Sequence, residues 1–250
     1  MVNINEFEAP DVPTFGLLDN IFAEQHSLME KYINIEANNG LLHTPDCPVD
    51  LDSPKGQARL KDFAWRITEE LGEALEACRV HQDIPDHNRE ELIDSLHFLT
   101  EFTILSGMTP QDICTRLMAI YDNVPRESVD HPDELHSIYR LALVVVPKIG
   151  LMPGDKTPDT EELKAVRYLS QVSATGLLVE SMAICCNYLK NKPWKRTHML
   201  TDKERFKDAV AMVWLHFANL AAVAGLTPAD IYQLYFRKKQ VNDFRIRSWY

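Results

Sequence analysis

Two acidic pairs, each spaced three residues apart and each set inside an apolar run, restrict what this chain can become more than any other feature. Glu70-Leu-Gly-Glu73 lies in a tract from Leu60 to Val80 that repeats apolar residues every three or four positions, and Glu91-Leu-Ile-Asp94 lies in a second such tract. That period is helical, and residues three apart share one helical face. Leu71, Ala74 and Leu75 flank the first pair, and Leu92, Ile93 and Leu96 the second, so both pairs ride on core-type helices. The short connection containing Pro85 makes these helices antiparallel neighbours and brings the pairs together across a bundle interior. Four carboxylates in one place repel one another and lose hydration, and a divalent cation resolves that conflict. Oxygen-only ligands favour a hard ion, and magnesium keeps positions open for water and phosphate oxygens. The competing reading is a pair of ordinary solvated acidic faces. A dinuclear iron site would want Glu-x-x-His on two helices, which neither pair supplies. His97, three residues beyond Asp94, is expected to be a core or interface histidine.

The rest of the chain agrees with an all-α fold. Glycine is scarce, at 9 of 250 residues, and the 45% hydrophobic content suffices for a sizeable core. A net charge of −11 disfavours a nucleic-acid backbone as partner, since that binding needs clustered Lys and Arg. A triphosphate remains compatible where cations and a local basic cluster offset the acids. The five cysteines form no Cys-x-x-Cys pair and no leader precedes them, which points to a reducing, cytoplasmic setting. No membrane segment is expected, because the apolar stretches fall short of the ~20 residues that a span needs.

Helices are expected from Leu17 to Glu36, about Gln57 to Val80, about Arg89 to Leu105, about Thr160 to Lys190 and about Asp202 to Ala224. The segment 38–56, with Asn39-Gly40 and three prolines, reads as a loop. Thr109-Pro110 opens another helix, with Thr as N-cap and Pro at the first helical position. The punctuation Gly107-Met-Thr109-Pro110-Gln-Asp112-Ile113 returns as Gly225-Leu-Thr227-Pro228-Ala-Asp230-Ile231. His97-Phe98 and His216-Phe217 precede the two copies, and Asn123-x-x-Arg126 and Asn242-x-x-Arg245 follow them. The expected architecture is therefore a helical bundle, one unit over 1–250, built from two related halves of about 15–129 and 134–250. A linker is expected near Asp130 to Asp133 and a second break from Pro147 to Asp159. The later half has Glu180 followed by Ala183, and mainly apolar residues from Ala209 to Val213, so it keeps packing without a metal site.

The run Glu69-Glu70-Leu-Gly-Glu73 with Glu91-Leu-Ile-Asp94 resembles the signature of the all-α nucleoside triphosphate pyrophosphatases, the superfamily of MazG and the dimeric dUTPases. The run Tyr235-Phe-Arg-Lys238-Lys-Gln-Val-Asn242-Asp-Phe-Arg245, closing with Tyr250, is similar to the end of the dimeric dUTPases and phage dCTPase-dUTPases. The resemblance implies that Glu70, Glu73, Glu91 and Asp94 hold two or more Mg2+ ions, with Mn2+ able to substitute; Glu70 and Glu73 are the expected catalytic residues, with neighbouring Glu69 as an alternative for orienting the water or accepting its proton. It implies that Lys238, Asn242 and Arg245 contact phosphates, a point charge, a neutral donor and a planar fork. Phe22-Ala-Glu-Gln25-His-Ser-Leu28 looks like the family helix whose Gln helps to read the base. Met29 stands where relatives often carry an amide, and a Trp-Lys element occurs only as Pro193-Trp194-Lys195 in the later half.

The implied activity is hydrolysis of a deoxynucleoside triphosphate to the monophosphate and pyrophosphate, on dUTP, dCTP or a related pyrimidine. A broad house-cleaning pyrophosphatase and a non-catalytic nucleotide- or protein-binding bundle are the alternatives. The expected partner is the nucleotide, with no nucleic acid or membrane. The resemblance also implies a homodimer, in the cytoplasm of the cell or of a phage's host.

Overall fold

The structure is a computed structural model, and it describes residues 4, 7–40, 42–81, 84–147, 160–191, 196 and 198–248. Among these residues it is all-α, with helices α1 (Leu17–Asn38), α2 (Pro54–His81), α3 (Asp86–Leu105), α4 (Pro110–Ile120), α5 (Arg126–Val129), α6 (Glu134–Val145), α7 (Glu161–Tyr188), α8 (Lys203–Val223) and α9 (Pro228–Arg247). Tyr250, the Pro193-Trp194-Lys195 element and most of the 147–159 break lie outside the described residues.

The packing frame is two long helical hairpins, α2 with α3 and α7 with α8. In the first, the internal contacts show an antiparallel course: Asn88 donates to the Ala74 carbonyl at 2.9 Å, and the Arg59 guanidinium lies 3.7 Å from Glu101. As numbers fall along α2 they rise along α3. The interior between the hairpins is aromatic, with Trp214 fully buried against Phe22 and Phe217 and its indole N–H donating to Thr103 Oγ1 at 2.9 Å. Burying an aromatic surface of that size is a leading favourable term in folding.

The ends of α3 and α8 explain why the chain turns where it does. Gly107 and Gly225 adopt φ of 69° and 79°, a left-handed conformation that glycine takes without Cβ strain. Backbone bonds from Met108 to Thr103 and from Leu226 to Ala221 close the two helix ends in the same way. Capping boxes then open the next helices, Thr109 with Asp112 for α4 and Thr227 with Asp230 for α9, each followed by Pro at the first helical position.

Three boundaries differ from the sequence expectation. Helix α2 begins at Pro54, helix α3 begins at Asp86 directly after Pro85, and α1 continues to Asn38. The expected linker is structured at Asp133, which is fully buried. Its carboxylate accepts the Leu17 N–H at 2.7 Å and the His136 N–H at 3.0 Å, so one side chain caps both α1 and α6. Helices α7 and α8 fall within their expected spans, but both are long and apolar enough by length and composition to cross a bilayer, which differs from the expectation that the apolar stretches fall short. In α8, 72% of the most apolar window is buried inside the bundle, which accounts for its composition.

Candidate active site

The antiparallel register of α2 and α3 places Glu70 opposite Glu91 and Asp94. Each of the three offers a carboxylate oxygen, and these oxygens lie within 4.8 Å of one another. Glu73 is exposed and stands outside that triad, although its charge reaches Glu70 and Asp94. Burial, then the charges of Asp94 and Glu91, push the Glu70 carboxyl up to about 8. Glu91 and Asp94 are raised chiefly by burial as well. Lys238 opposes this, its ammonium 2.6 Å from Asp94, and His87 Nδ1 sits 3.2 Å from Glu91.

Lys238, helped by Arg245 toward Asp94 and by His87 toward Glu91, offsets only part of the repulsion and burial that raise the three converging carboxyls. An all-oxygen donor set of this kind fits a hard divalent cation. Glu70, Glu91 and Asp94 are the side chains that could hold it, with Glu73 beside them.

A cavity of about 240 Å³ opens next to the triad. It is lined by Glu70 and Asp94, by Asn242 and Arg245 from α9, by Gln25, Leu28, Tyr32 and Glu36 from α1, and by Arg66, His97, Phe98 and Glu101. Of the expected phosphate contacts, Asn242 and Arg245 face this cavity, whereas Lys238 is committed to Asp94 and is only 7% exposed. The end of α9 is anchored to α1 by Lys31–Asp243 at 2.6 Å and Lys239–Glu24 at 2.8 Å, which holds Asn242 at the rim.

Gln25 lines the cavity through an amide that is largely engaged. Its Oε1 accepts from the Tyr235 hydroxyl at 2.8 Å and pairs with His97 Nδ1 at 2.9 Å, and its Nε2 donates to Glu101 at 3.1 Å. His97 stacks on Tyr235 with ring centroids 4.1 Å apart. Burial, then the Lys238 charge, lowers its pKa to about 3, so it is neutral, and its Nε2 has no partner. It is thus a core histidine that also lines the cavity. Met29 belongs to the hydrophobic core.

Sequence reasoning did not single out Glu36, Arg59, Arg66 or Glu101. Burial raises Glu101 to about 7 against the opposing charge of Arg59. Glu101 carried a usable signal, since positions 94, 97, 98 and 101 recur at helical spacing on one face. Glu36 had none, because it enters only through its fold-level meeting with Arg66, at 2.9 Å.

Two other groups carry no comparable chemistry. His131, Asp133 and His136 also cluster, but His131 Nδ1 accepts the Asp133 N–H at 3.1 Å and both Asp133 oxygens are spent on helix N–H groups. That set is an N-terminal cap. Arg126, the counterpart of Arg245 in the repeat, donates to the Met118 carbonyl at 2.9 Å and so closes the end of α4.

In comparison with known families, the family model described as dUTPase matches residues 67–250, a span that includes both acidic pairs and the Lys238, Asn242 and Arg245 run. The chain has no match among curated proteins or among solved structures. With an all-helical fold and a model match over most of its length, the chain belongs to the dUTPase family, in its all-α branch, and is a dUTPase-like nucleotide hydrolase.

Proposed function

We propose that the protein is a magnesium-dependent pyrophosphohydrolase that converts a pyrimidine deoxynucleoside triphosphate and water into the monophosphate and pyrophosphate. The observation that carries this reading is the convergence of Glu70, Glu91 and Asp94 within 4.8 Å beside a cavity whose rim presents Asn242 and Arg245. Glu70, Glu91 and Asp94, with Glu73 alongside, would hold two or more Mg2+ ions, for which Mn2+ can substitute. When bound, such ions supply charge compensation and Lewis-acid polarisation of phosphate oxygens.

The chain's own groups do the rest. Water adds at the α-phosphorus, the bond from that phosphorus to the bridging oxygen breaks, and pyrophosphate departs. Glu70 or Glu73 orients the water and takes its proton, and burial beside Asp94 and Glu91 suits Glu70 to that role by raising its carboxyl to about 8. Arg245, Asn242 and Lys238 meet the charge on the departing phosphates, Lys238 by sharing its ammonium between Asp94 and the ligand. Phe98 and Tyr32 flank the base, with Gln25 behind them. By the same family likeness we read the protein as a cytoplasmic homodimer.

The Lys238–Asp94 pair favours a silent nucleotide-binding role, because the ammonium already neutralises one carboxylate of the triad. Pyrophosphate release from a panel of dNTPs with magnesium separates the readings. Turnover is expected, with Glu70→Gln lowering it by about 100-fold or more and Glu73→Ala also lowering it strongly, both with unchanged helical content. Nucleotide binding without pyrophosphate would establish the silent role instead.

A further inference from the structure

We propose that Glu101, with Glu36 beside it, makes the inner end of this cavity a reader of an exocyclic amino group, so that the preferred substrate is a cytosine-type deoxynucleoside triphosphate rather than a uracil-type one. The inference rests on the cavity being the nucleotide site, as read above, and it names the base.

The cavity has two chemically different ends. The carboxylate triad, Asn242 and Arg245 mark the phosphate end. Glu101 lies seven residues further along α3 than Asp94, a rise of ~10 Å, which is about the reach of a nucleoside from its α-phosphate. Tyr32 and Phe98 line the space between, giving a planar base a place to stack.

The hydrogen-bonding character of that inner end follows from counting what is already used. Both acceptor positions of Gln25 Oε1 are taken by Tyr235 and His97, and one Nε2 hydrogen goes to Glu101, which leaves a single N–H. The Glu101 oxygens each face a protein donor, Oε2 the Gln25 amide at 3.1 Å and Oε1 the Arg59 guanidinium at 3.7 Å. Those donors favour the ionised form against the burial that raises this carboxyl to about 7, so on the alkaline side of neutrality its remaining lone pairs are what a ligand meets. Glu36 adds a second carboxylate, whose Oε1 takes Arg66 at 2.9 Å. Arg66 stands over the Phe63 ring at 4.6 Å, and its Nη2 is shared between Glu36 and Asp62, the latter at 2.8 Å, which turns that donor away from a ligand.

An acceptor-rich end is complementary to the two N–H groups of a cytosine N4 amine, a pairing carboxylates make with that base elsewhere. The spare Gln25 N–H is then available to the N3 or O2 acceptor of the same edge. Uracil would bring its O4 lone pairs against carboxylate lone pairs, leaving a buried acceptor unpaired, the arrangement that discriminates most strongly between otherwise similar ligands. The small volume, about 240 Å³, suits a pyrimidine better than a purine.

The experiment measures kcat/KM with magnesium, on the alkaline side of the Glu101 value of about 7, for dCTP, dUTP, dATP and the 2-pyrimidinone deoxynucleoside triphosphate, which lacks the amine. The wild-type chain is expected to prefer dCTP by at least about tenfold over each of the others. Glu101→Gln, whose amide can donate to O4, is expected to move the dCTP-to-dUTP ratio by at least about tenfold toward dUTP. Equal or better use of dUTP, dATP or the amine-free analogue by the wild type overturns the inference, as does an unchanged ratio in a folded Glu101→Gln chain. Should that variant fail to fold, the wild-type comparison of dCTP with the analogue decides alone. Pyrophosphate from no nucleotide would reject the hydrolase reading instead, and calorimetric titration with dCMP and dUMP would then decide the base. Binding of dCMP at least tenfold tighter supports the assignment; equal or weaker binding removes it.

Discussion

The α2–α3 and α7–α8 hairpins share one construction and differ in what they place at their seam. Both are long antiparallel helix pairs, both end in a left-handed glycine, and both feed a Thr-Pro-x-Asp capping box. At the first seam stand Glu70, Glu91 and Asp94, with carboxyls raised by burial and mutual repulsion. At the second, Leu177, Ala209 and Met212 line a larger cavity of about 510 Å³ together with Glu180, Arg205, Asp208 and His216. There acids and bases are mixed among apolar residues, whereas the first seam gathers three acids, an arrangement tolerated for what it can bind. The fold is therefore carried by features common to both hairpins, and the chemistry by a few side chains found in one.

The largest expected effect tests the structural side of that contrast. Trp214→Ala should lower stability by about 3–5 kcal/mol in a denaturant titration, since it empties the fully buried space between the hairpins. A loss under about 1 kcal/mol would mean that the second hairpin is not part of the common core. Next comes activity. Glu91→Gln should reduce magnesium-dependent pyrophosphate release by about 100-fold or more, while Glu180→Gln in the second hairpin should leave it within about twofold. Comparable losses in the two variants would erase the functional difference. Smallest are the caps: Thr109→Ala and Thr227→Ala should each destabilise by about 1 kcal/mol and by similar amounts, as measured by thermal melts. A large inequality would show that the two boxes are not equivalent devices.

Much of the helical layout was legible because it depends on local chemistry. Thr109 and Thr227 as caps, Pro110 and Pro228 at the first helical position, and Gly107 and Gly225 as stops act within a few residues of themselves. The convergence of Glu70, Glu91 and Asp94 was also readable, since a short connection fixes antiparallel neighbours and a three-residue spacing fixes a face. Glu73 shares that spacing, yet it ends up exposed. The helical turn between it and Glu70 rotates it toward solvent, and no spacing rule resolves a rotation of that size.

What stayed hidden was long-range. Gln25 meets Glu101 across 76 residues and Tyr235 across 210, and Lys238 meets Asp94 from the far end of the chain. Asp133 reads as a linker residue until Leu17, 116 positions away, is seen to donate to it. Such pairings depend on how helices pack, which periodicity does not encode.

The central claim is that three converging carboxylates at one seam, Glu91 buried and Glu70 and Asp94 half-buried, form a site whose mutual repulsion a divalent cation relieves. The direct test is the melting temperature of the metal-free chain from pH 6.5 to 8.5, with and without magnesium. Glu70 has its folded pKa raised to about 8, and burial holds Glu101 at about 7, so across this window the folded state binds more protons than the unfolded one and stability must fall as pH rises. His97, lowered to about 3, acts in the opposite sense, but only below the ordinary histidine value. The account predicts a melting temperature that declines toward pH 8.5 without metal, a decline reduced by Glu70→Gln, and a rise on adding magnesium that is greatest at the alkaline end. A profile that is flat or rises with pH, and that magnesium leaves unmoved, would contradict it.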